Sequence, residues 1–587
     1  MKKVLAILLT AIFCLGFLIS CEVNNILPQS SPTPSPSITP ENPDDEDSEA
    51  DLIAGNNLQR RETAEQYGLP YSPQMDEWEP VTFTYFILGA YQLPPPENPI
   101  LEIIEEITNV KIDFQIYDID FELALGVMIE TNDIPDLVYF GDSAGAAIDS
   151  GRFMPIDRLI ESYAPRLREF YDPWWEFMKS GDGYIYTAEI YGTLTGTQTA
   201  MWDDTYAFWI QKDILDYFGR VPGNIDEYFD FIREYKELNP RVNRYRTIGF
   251  SFNVNDYMNS GLAGAGYFLA GNANWGGAVN TDGNDFGAVV SPADRFEEDF
   301  NRAWWEKLNE EYRLETFPRN ALTQSNKDYL SQIASGAVLG IFDKGSNFQS
   351  AVDTLIEEEQ YERTYLPLGL TFNGAEPNYL DAHSFTGGNG ILFSNSISDP
   401  QRVIEYLDWI IDESVQRFLS WGIEEEHYSY DDNGRITRST LQRELQNDEK
   451  WVTDNLGRLL FDMMPKMQGT YPSDNNPTSP FESPEEHFAL LTGYDRDLFE
   501  KLGIMTMTGF WGEPKQRPAF YPFNRPDPEE NPEASLVLEN IERLLRSRTV
   551  RNIITARKEN FETLWEEYIE SVRNIDRQPL MDYYATG

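Results

Sequence analysis

The sequence predicts an α/β protein with two lobes and a largely helical C-terminal region. Strand and helix patterns alternate in two separate parts of the chain, which favours parallel strands covered by helices. The chain has 587 residues, of which 41% are hydrophobic and 14% are aromatic. A chain of this length and composition carries enough apolar surface for more than one core.

The first residues have the pattern of a secretory signal peptide, which we predict over residues 1–20. Two lysines precede an apolar run that is short for a membrane-spanning helix. The segment Leu18–Cys21 resembles the bacterial lipobox. This resemblance implies cleavage before Cys21 and lipidation of its thiol. The alternative is a plain signal peptide in which the cysteine occurs by chance.

Residues 21–77 are predicted to form a disordered tether. Pro, Ser and acidic residues dominate the stretch after Cys21, and such a composition builds no hydrophobic core. The other cysteine, Cys14, lies in the segment to be removed. The mature chain would therefore have a single cysteine, and no intramolecular disulfide is expected.

The first lobe is predicted to comprise residues 78–195 and about 345–395. Its opening unit alternates between period-two apolar patterns and helical patterns, which predicts a parallel sheet. Asn98 can cap the first helix, and Pro99 suits its first turn. The elements are predicted as strand 80–88, helix 97–109, strand 110–116, helix 121–131 and strand 134–140.

The second lobe is predicted to comprise residues about 196–344 and 396–587. Residues 205–215 hold a strand and the start of a helix, and residues 329–343 run from a helix into a strand. A single long helix is predicted from the cap Asp399 to the stop signal Gly422. Beyond Tyr430 the pattern is mostly helical and irregular.

Five stretches, in order, resemble one protein family. They read "TNDIPDLVYF", "DSGRFMPIDRLIESYAPRLREF", "GDGYIY", "FWIQKDILDYFGRVPGNIDEYFDFIREYKELNP" and "YLDWIIDESVQRFLSWGIEEEHYSYDDNGRI". Together they span most of the chain from about Val81 to Ile436. They are similar to the extracellular solute-binding proteins of bacterial ABC importers, in the large lipoprotein branch of Gram-positive bacteria that is linked to oligosaccharide uptake.

The resemblance implies a two-lobed periplasmic-binding-protein-like fold of type II and a protein that is not an enzyme. It also implies a small-molecule ligand, an oligosaccharide, which the protein would deliver to ABC permease subunits. A lipid on Cys21 would hold the protein on the extracellular face of the cell membrane. A monomer without a cofactor is expected.

One departure from the family concerns metal binding. Many members carry a calcium-type loop of closely spaced oxygen ligands before a strand of the second lobe. The corresponding stretch here, residues 239–249, reads "NPRVNRYRTIG" and lacks the several carboxylates that calcium coordination needs. No metal site is therefore expected.

The charge of the chain is strongly negative, with 46 basic and 98 acidic residues and a formal net charge of -52. Such a field repels nucleic acid and anionic lipid head groups. It also repels anionic ligands at long range, unless a local basic pocket overrides it. We interpret the charge as a solvated acidic surface rather than as a ligand signal.

Polar residues that follow predicted strands are the first candidates for ligand binding. In open α/β sheets, ligands sit beyond the carboxyl ends of the strands. Asp142 occupies such a position in the first lobe, although a role as a helix cap fits it equally well. In the second lobe, Asn253, Asp256 and Asp343 occupy such positions.

Aromatic and polar residues of predicted loops are the second group of candidates. Trp202 and Asp203 precede the first strand of the second lobe, and Trp275 lies in a Gly-rich loop. An aromatic ring can pack on the C–H face of a sugar, although core packing is the commoner role of any one aromatic. His383 lies near the expected return to the first lobe, where a surface or hydrogen-bonded structural role is favoured.

Enzyme signatures are weak in this sequence. The histidines His383, His427 and His487 show no metal-ligand spacing, and no nucleophile elbow accompanies a plausible triad. Abundant Asp and Glu leave a glycosidase carboxylate pair open. A secreted carbohydrate-active enzyme is therefore one alternative, and a binding protein that serves a surface sensor is another.

Overall fold

The computed structural model describes residues 44–584, except 192, 194, 197–205, 243, 255–261, 263, 272–298, 381–384, 386, 492 and 512–530. The chain divides into two compact units, Met1–Leu58 and Gln59–Gly587. In the first unit, the described residues belong to a helix that begins at Asp44. The second unit contains all of the sheets described below.

The strands are short and most of them are buried. In chain order they are β1 (Val81–Leu88), β2 (Val110–Tyr117), β3 (Leu137–Tyr139), β4 (Thr187–Glu189), β5 (Tyr206–Gln211), β6 (Arg241–Val242), β7 (Tyr245–Arg246), β8 (Ile248–Phe252), β9 (Val338–Lys344), β10 (Tyr365–Leu368), β11 (Gly390–Phe393), β12 (Ser429–Tyr430) and β13 (Ile436–Thr437).

The helices account for most of the remaining described residues. They are α1 (Asp44–Gln66), α2 (Pro99–Thr108), α3 (Phe121–Thr131), α4 (Ala144–Asp149), α5 (Asp157–Tyr163), α6 (Pro165–Tyr171), α7 (Lys212–Phe218), α8 (Ile225–Leu238), α9 (Ala265–Leu269), α10 (Asp299–Arg313), α11 (Asn326–Ala334), α12 (Gly345–Glu357), α13 (Pro400–Ile410), α14 (Glu413–Trp421), α15 (Thr440–Gln446), α16 (Glu449–Asn455), α17 (Arg458–Asp462), α18 (Pro484–Leu490), α19 (Gly493–Leu502), α20 (Pro532–Leu545), α21 (Arg548–Ile554), α22 (Phe561–Arg573) and α23 (Gln578–Tyr584).

The first sheet has the strand order β2-β1-β3-β11-β4 in the described part of the chain. Strands β1, β2 and β3 are parallel, and β11 runs antiparallel to both β3 and β4. The carboxyl ends of β1 to β4 therefore lie at the same edge as the amino end of β11. We call this edge the first-lobe edge; its strand ends are Leu88, Tyr117, Tyr139, Glu189 and Gly390.

The second sheet has the strand order β10-β5-β9-β8 among the described residues. Strands β8 and β9 are parallel, and β5 runs antiparallel to β9 and to β10. The carboxyl ends of β8, β9 and β10 thus share an edge with the amino end of β5. We call it the second-lobe edge; its strand ends are Phe252, Lys344, Leu368 and Tyr206.

Two large hydrophobic cores define the lobes, and they divide the chain differently from the prediction. Residues 345–380 pack in the second core, because β10 pairs with β5 and Leu355 is buried there. Residues 397–464 pack in the first core, for example through Ile404. The expected assignment of about 345–395 to the first lobe and of 396–464 to the second therefore differs from the structure. Strand pairing over long distances sets this division, and local periodicity does not record it.

Ordered structure begins earlier than the predicted tether over residues 21–77 allows. Leu69 and Met75 are buried in the first core. The Nε atom of Arg60 donates a hydrogen bond of 3.1 Å to the carbonyl oxygen of Ile107. This stretch is mostly acidic and polar, and only a few apolar residues attach it to the first core. A prediction from composition therefore places the start of the fold too late.

The long helix predicted from Asp399 to Gly422 is two helices, α13 and α14. The chain is extended at Asp412, whose side chain accepts a hydrogen bond from the backbone N–H of Ser414 and caps α14. The apolar stripe continues through this break because both helices bury one face in the first core. Within the described residues, no helix is both long and apolar enough to span a lipid bilayer.

Candidate ligand-binding site

The chain passes between the two lobes several times. The first two of these connections, in chain order, join the first-lobe edge to the second-lobe edge. The outward connection leaves β4 at Glu189 and enters β5 at Tyr206. The return connection leaves β10 at Leu368 and enters β11 at Gly390. Since ligands of open α/β sheets bind beyond the carboxyl ends of strands, the two edges define the candidate site.

A third connection passes beside the outward one. The backbone N–H of Thr195 donates to the carbonyl oxygen of Gln468 at 2.9 Å, and the N–H of Gln468 donates to the carbonyl oxygen of Thr193 at 3.2 Å. The hydroxyl of Thr195 also lies 3.1 Å from the carbonyl oxygen of Thr470. A narrow, hydrogen-bonded connection of this kind can act as a hinge between two rigid cores.

A cluster of tyrosines lines the first-lobe edge. Tyr91 follows β1, Tyr139 ends β3, and Tyr191 follows β4. The hydroxyl of Tyr191 interacts with those of Tyr91 and Tyr139, and burial raises its pKa to about 12. Tyr139 donates a hydrogen bond of 2.9 Å to Oδ1 of Asn389. We call these four residues the tyrosine cluster.

Tyr91 is the exposed member of the tyrosine cluster, with 38% of its surface accessible. Its ring folds over Gly89, where an added Cβ atom would lie 2.7 Å from the ring atom Cε2. Gly89 has a φ angle of 145°, a conformation that favours glycine. The glycine that follows β1 thus makes room for an aromatic platform at the edge of the sheet.

Glu189 fixes the return connection to the end of β4. Its carboxylate accepts hydrogen bonds from the backbone N–H groups of Gly388 at 2.8 Å and Asn389 at 2.9 Å. The hydroxyl of Thr187 is a third donor. Burial raises the pKa of Glu189 to about 7, although these three donors favour the ionised form. Glu189 therefore holds Asn389 in place for the tyrosine cluster.

Asn253 and Asp343 meet at the second-lobe edge. Nδ2 of Asn253 donates to Oδ2 of Asp343 at 3.2 Å, and the hydroxyl of Tyr329 donates to the same oxygen at 3.0 Å. Asn347 donates to Oδ1 at 2.6 Å. The Asp343 side chain is 1% exposed, and burial raises its pKa. This carboxylate is engaged by its own lobe, so it positions the two asparagines.

The structure brings two of the sequence-predicted residues together and places a third on the opposite lobe. Asn253 and Asp343 are hydrogen-bonded to each other. Asp142 lies in a 3-10 turn, Gly141–Ser143, directly after β3, so its backbone lies at the first-lobe edge. The other predicted residues lie outside the described part of the chain: Trp202, Asp203, Asp256, Trp275, His383 and the lipidation candidate Cys21.

The tyrosine cluster escaped the sequence analysis. The rule that ligands sit beyond the carboxyl ends of strands applies to β1 and β4 as well, and Tyr91 and Tyr191 lie three and two residues beyond those strands. That signal was available. The contribution of Asn389 was not, because it depends on the pairing of β11 with β3 and β4.

The fold is that of a two-lobed extracellular solute-binding protein. The chain superposes on a solved extracellular solute-binding protein from Bifidobacterium longum subsp. infantis with a TM-score of 0.50 and 14% sequence identity. The superposition covers 88% of this chain and 99% of that protein. The predicted fold class, α/β with two lobes of periplasmic-binding-protein type, is confirmed.

The curated relatives are substrate-binding proteins of ABC transporters or glycan-binding proteins. The fructooligosaccharide ABC transporter substrate-binding protein FusA of Streptococcus pneumoniae is 28% identical over 167 residues, which are 27% of this chain and 31% of that protein. The polygalacturonan/rhamnogalacturonan-binding protein YtcQ of Bacillus subtilis is 23% identical over 391 residues, 64% of this chain and 71% of that protein. No protein-family model matches the chain.

These matches confirm the predicted resemblance to solute-binding proteins of ABC importers. The names of the matched proteins describe binding and transport, and none of them describes an enzyme. They therefore agree with the expectation that this chain is not an enzyme.

Proposed function

We propose that this protein is the extracellular oligosaccharide-binding component of an ABC transporter and that it delivers its ligand to a membrane permease. The observation that carries the proposal is the position of the tyrosine cluster at the edge where both of the first two connections between the lobes begin or end. A sugar offers apolar C–H faces to aromatic rings and hydroxyls to polar side chains. The tyrosine cluster offers both aromatic rings and hydroxyls, and Asn253, positioned by Asp343, adds an amide at the second-lobe edge.

Ligand capture follows from the hinge. A ligand that contacts both edges binds the closed arrangement of the lobes more tightly than the open one, and so shifts the population toward closure. The hydrogen-bonded segments around Thr195 and Gln468 are the connections that would flex. The similarity to proteins named as glycan-binding and ABC-transporter components supports a sugar as the ligand.

Isothermal titration with a panel of oligosaccharides, with peptides as controls, tests the proposal. We expect an oligosaccharide to bind, and Tyr91→Ala to weaken its binding about tenfold because an aromatic face is lost. Tyr245→Ala is the matched control. Tyr245 is 42% exposed in β7, which precedes the amino end of β8 and so lies at the opposite edge of the second sheet.

Three results would contradict the proposal. Binding of peptides alone would assign another ligand class. Hydrolysis of the oligosaccharides would indicate an enzyme. Equal loss of affinity in Tyr91→Ala and Tyr245→Ala would show that the effect does not come from the first-lobe edge.

A further inference from the structure

A second concave site lies on the second lobe, away from the tyrosine cluster. It has a volume of about 610 Å³, and three arginines line it: Arg319, Arg548 and Arg551. Thr323, Asn552 and Thr555 also line it. We call this site the arginine pocket. Its volume lies in the range of pockets that bind small organic ligands, and it is larger than a bare inorganic ion requires.

Among the described residues, no carboxylate lines the arginine pocket, although the chain has 98 acidic residues. Within the described part of the chain, none of its three arginines forms an ion pair. Another arginine cluster shows the usual arrangement: Arg438 and Arg443 both bind the buried carboxylate of Glu486, at 2.8 Å and 2.7 Å. The arginine pocket lacks such an internal counterion among the described residues.

The chemistry of the lining selects oxyanions. Each guanidinium presents several N–H donors in a planar fork that matches a carboxylate, sulfate or phosphate group. The side-chain amide of Asn552 adds hydrogen-bond donors beside the arginines, whereas the hydroxyls of Thr323 and Thr555 donate to the carbonyl oxygens of Asn320 and Arg551. A pocket of this kind provides the local positive charge that an anionic ligand needs to approach a chain of net charge -52.

The walls of the arginine pocket are anchored to the second lobe. Arg548 and Arg551 belong to α21, and Nδ2 of Asn309 on α10 donates to the carbonyl oxygens of Ile553 and Ile554 at the end of that helix. On the other wall, Arg319 lies in the 3-10 turn Arg319–Leu322. The backbone elements that carry these arginines are therefore fixed to the second lobe.

Hydrogen bonds link the segment that carries Arg319 and Thr323 to the second-lobe edge. Gln324, the residue after Thr323, donates from Nε2 to the hydroxyl of Ser251 at 2.9 Å and to the carbonyl oxygen of Phe252 at 2.7 Å. These two residues end β8, and Asn253 follows them directly. An extended ligand at the second-lobe edge can therefore continue toward the arginine pocket.

We propose that the arginine pocket binds the oxyanion groups of an acidic oligosaccharide, such as the carboxylates of uronic acid units. This inference rests on the proposed function, and it deepens that function by assigning an anionic class of saccharide. The long-range field of the chain disfavours such a ligand, and the three arginines overcome that field at short range. A free inorganic oxyanion carries the same chemistry and is the other source to distinguish.

The experiment compares four probes by isothermal titration against the full chain: trigalacturonate, the neutral maltotriose, sodium sulfate and sodium phosphate. We expect trigalacturonate to bind and its affinity to fall at least about tenfold in Arg319→Gln and in Arg551→Gln, because each loses a charged donor. Added salt should weaken binding of trigalacturonate by the original protein. Arg543→Gln is the matched control, since Arg543 is exposed on α20, does not line the pocket, and its loss changes the net charge equally.

Other outcomes overturn the inference in different ways. Unchanged trigalacturonate affinity in both pocket variants would show that the arginines do not bind it. Tight binding of sulfate or phosphate, lost in the same variants, without binding of trigalacturonate would assign the pocket to a free anion. Binding of maltotriose that depends on Tyr91, with none of trigalacturonate, would overturn the acidic class and leave the proposed function standing. Anion binding without binding of any oligosaccharide would overturn both proposals.

Discussion

At the scale of single residues, Glu189 is the group whose ionisation the fold opposes. Its pKa is raised from 4.5 to about 7 because it is buried, against the effect of three hydrogen-bond donors. The folded state therefore holds the proton more tightly than the unfolded state does. The stability from this group is fully present below about pH 4.5, and it is lost as the pH rises through about 7.

Replacement of Glu189 tests this pH dependence. We expect Glu189→Gln to flatten the fall in melting temperature between pH 5 and pH 8, because the amide does not titrate. The variant should also be less stable overall, since its NH2 group must face one of the backbone N–H donors. Glu161→Gln, at an exposed position of α5, is the control and should keep the original pH profile. An unchanged profile in Glu189→Gln would contradict the assignment.

The positions of Asn253 and Asp343 at strand ends could be predicted from the sequence, but their contact could not. Asn253 and Asp343 were found because each sits at the carboxyl end of a recognisable apolar strand. Their hydrogen bond, and the burial of Asp343, depend on the parallel pairing of β8 with β9 over 90 positions of sequence. The roles of Trp202 and Trp275 as sugar platforms remain predictions from the sequence.

At the scale of elements, Asn98 joins two helices of the first lobe. Its Oδ1 accepts hydrogen bonds from the backbone N–H groups of Ile100 and Leu101, so it caps α2 as predicted. Its Nδ2 donates to the carbonyl oxygens of Thr453 and Leu456, both at 3.0 Å, at the end of α16. The cap follows from local sequence, whereas the second function needs α16 to be packed beside α2.

The double function of Asn98 predicts an unusually large effect for a capping residue. Asn98→Ala should lower the free energy of unfolding by about 3 kcal/mol, because the loss of the cap is joined by two carbonyl oxygens that lose a donor. Asn531→Ala is the matched control: Asn531 caps α20 through the N–H groups of Glu533 and Ala534, and its loss should cost about 1 kcal/mol. Urea denaturation measures both. Equal effects would contradict the joining role.

The break between α13 and α14 shows that an apolar stripe does not fix where a helix ends. The apolar stripe predicts one helix, and it is preserved on both sides of the break. Asp412 lies in the middle of the predicted helix, and it is a good N-capping residue. Its hydrogen bond with the N–H of Ser414 marks the start of a second helix. The stripe reports which face is buried, and the capping residues report where each helix begins.

At the scale of the whole molecule, we predict that Cys21 holds the protein on the cell surface. Its lipidation remains a prediction from the lipobox-like segment. Cys21→Ala should release the protein from the membrane fraction into the culture medium, because lipid chains on one cysteine provide stable anchoring. Immunoblots of the membrane and medium fractions measure the change. Membrane retention of Cys21→Ala at the original level would contradict the anchor.

A lipid on Cys21 would raise the effective concentration of the protein near its permease. The fold begins before Trp78, since Leu69 and Met75 pack in the first core. Any tether after Cys21 is therefore shorter than the predicted one over residues 21–77.

Most of the elements, the two-lobed class and the family resemblance could be predicted from the sequence. These follow from apolar periodicity, capping residues and short motifs, which are local properties of the chain. Three features depend on the tertiary structure: the exchange of residues 345–380 and 397–464 between the lobes, the place of Asn389 in the tyrosine cluster, and the arginine pocket. Each of these brings together residues far apart in the chain, such as Arg319 and Arg551, and only the packing of whole elements fixes such pairs.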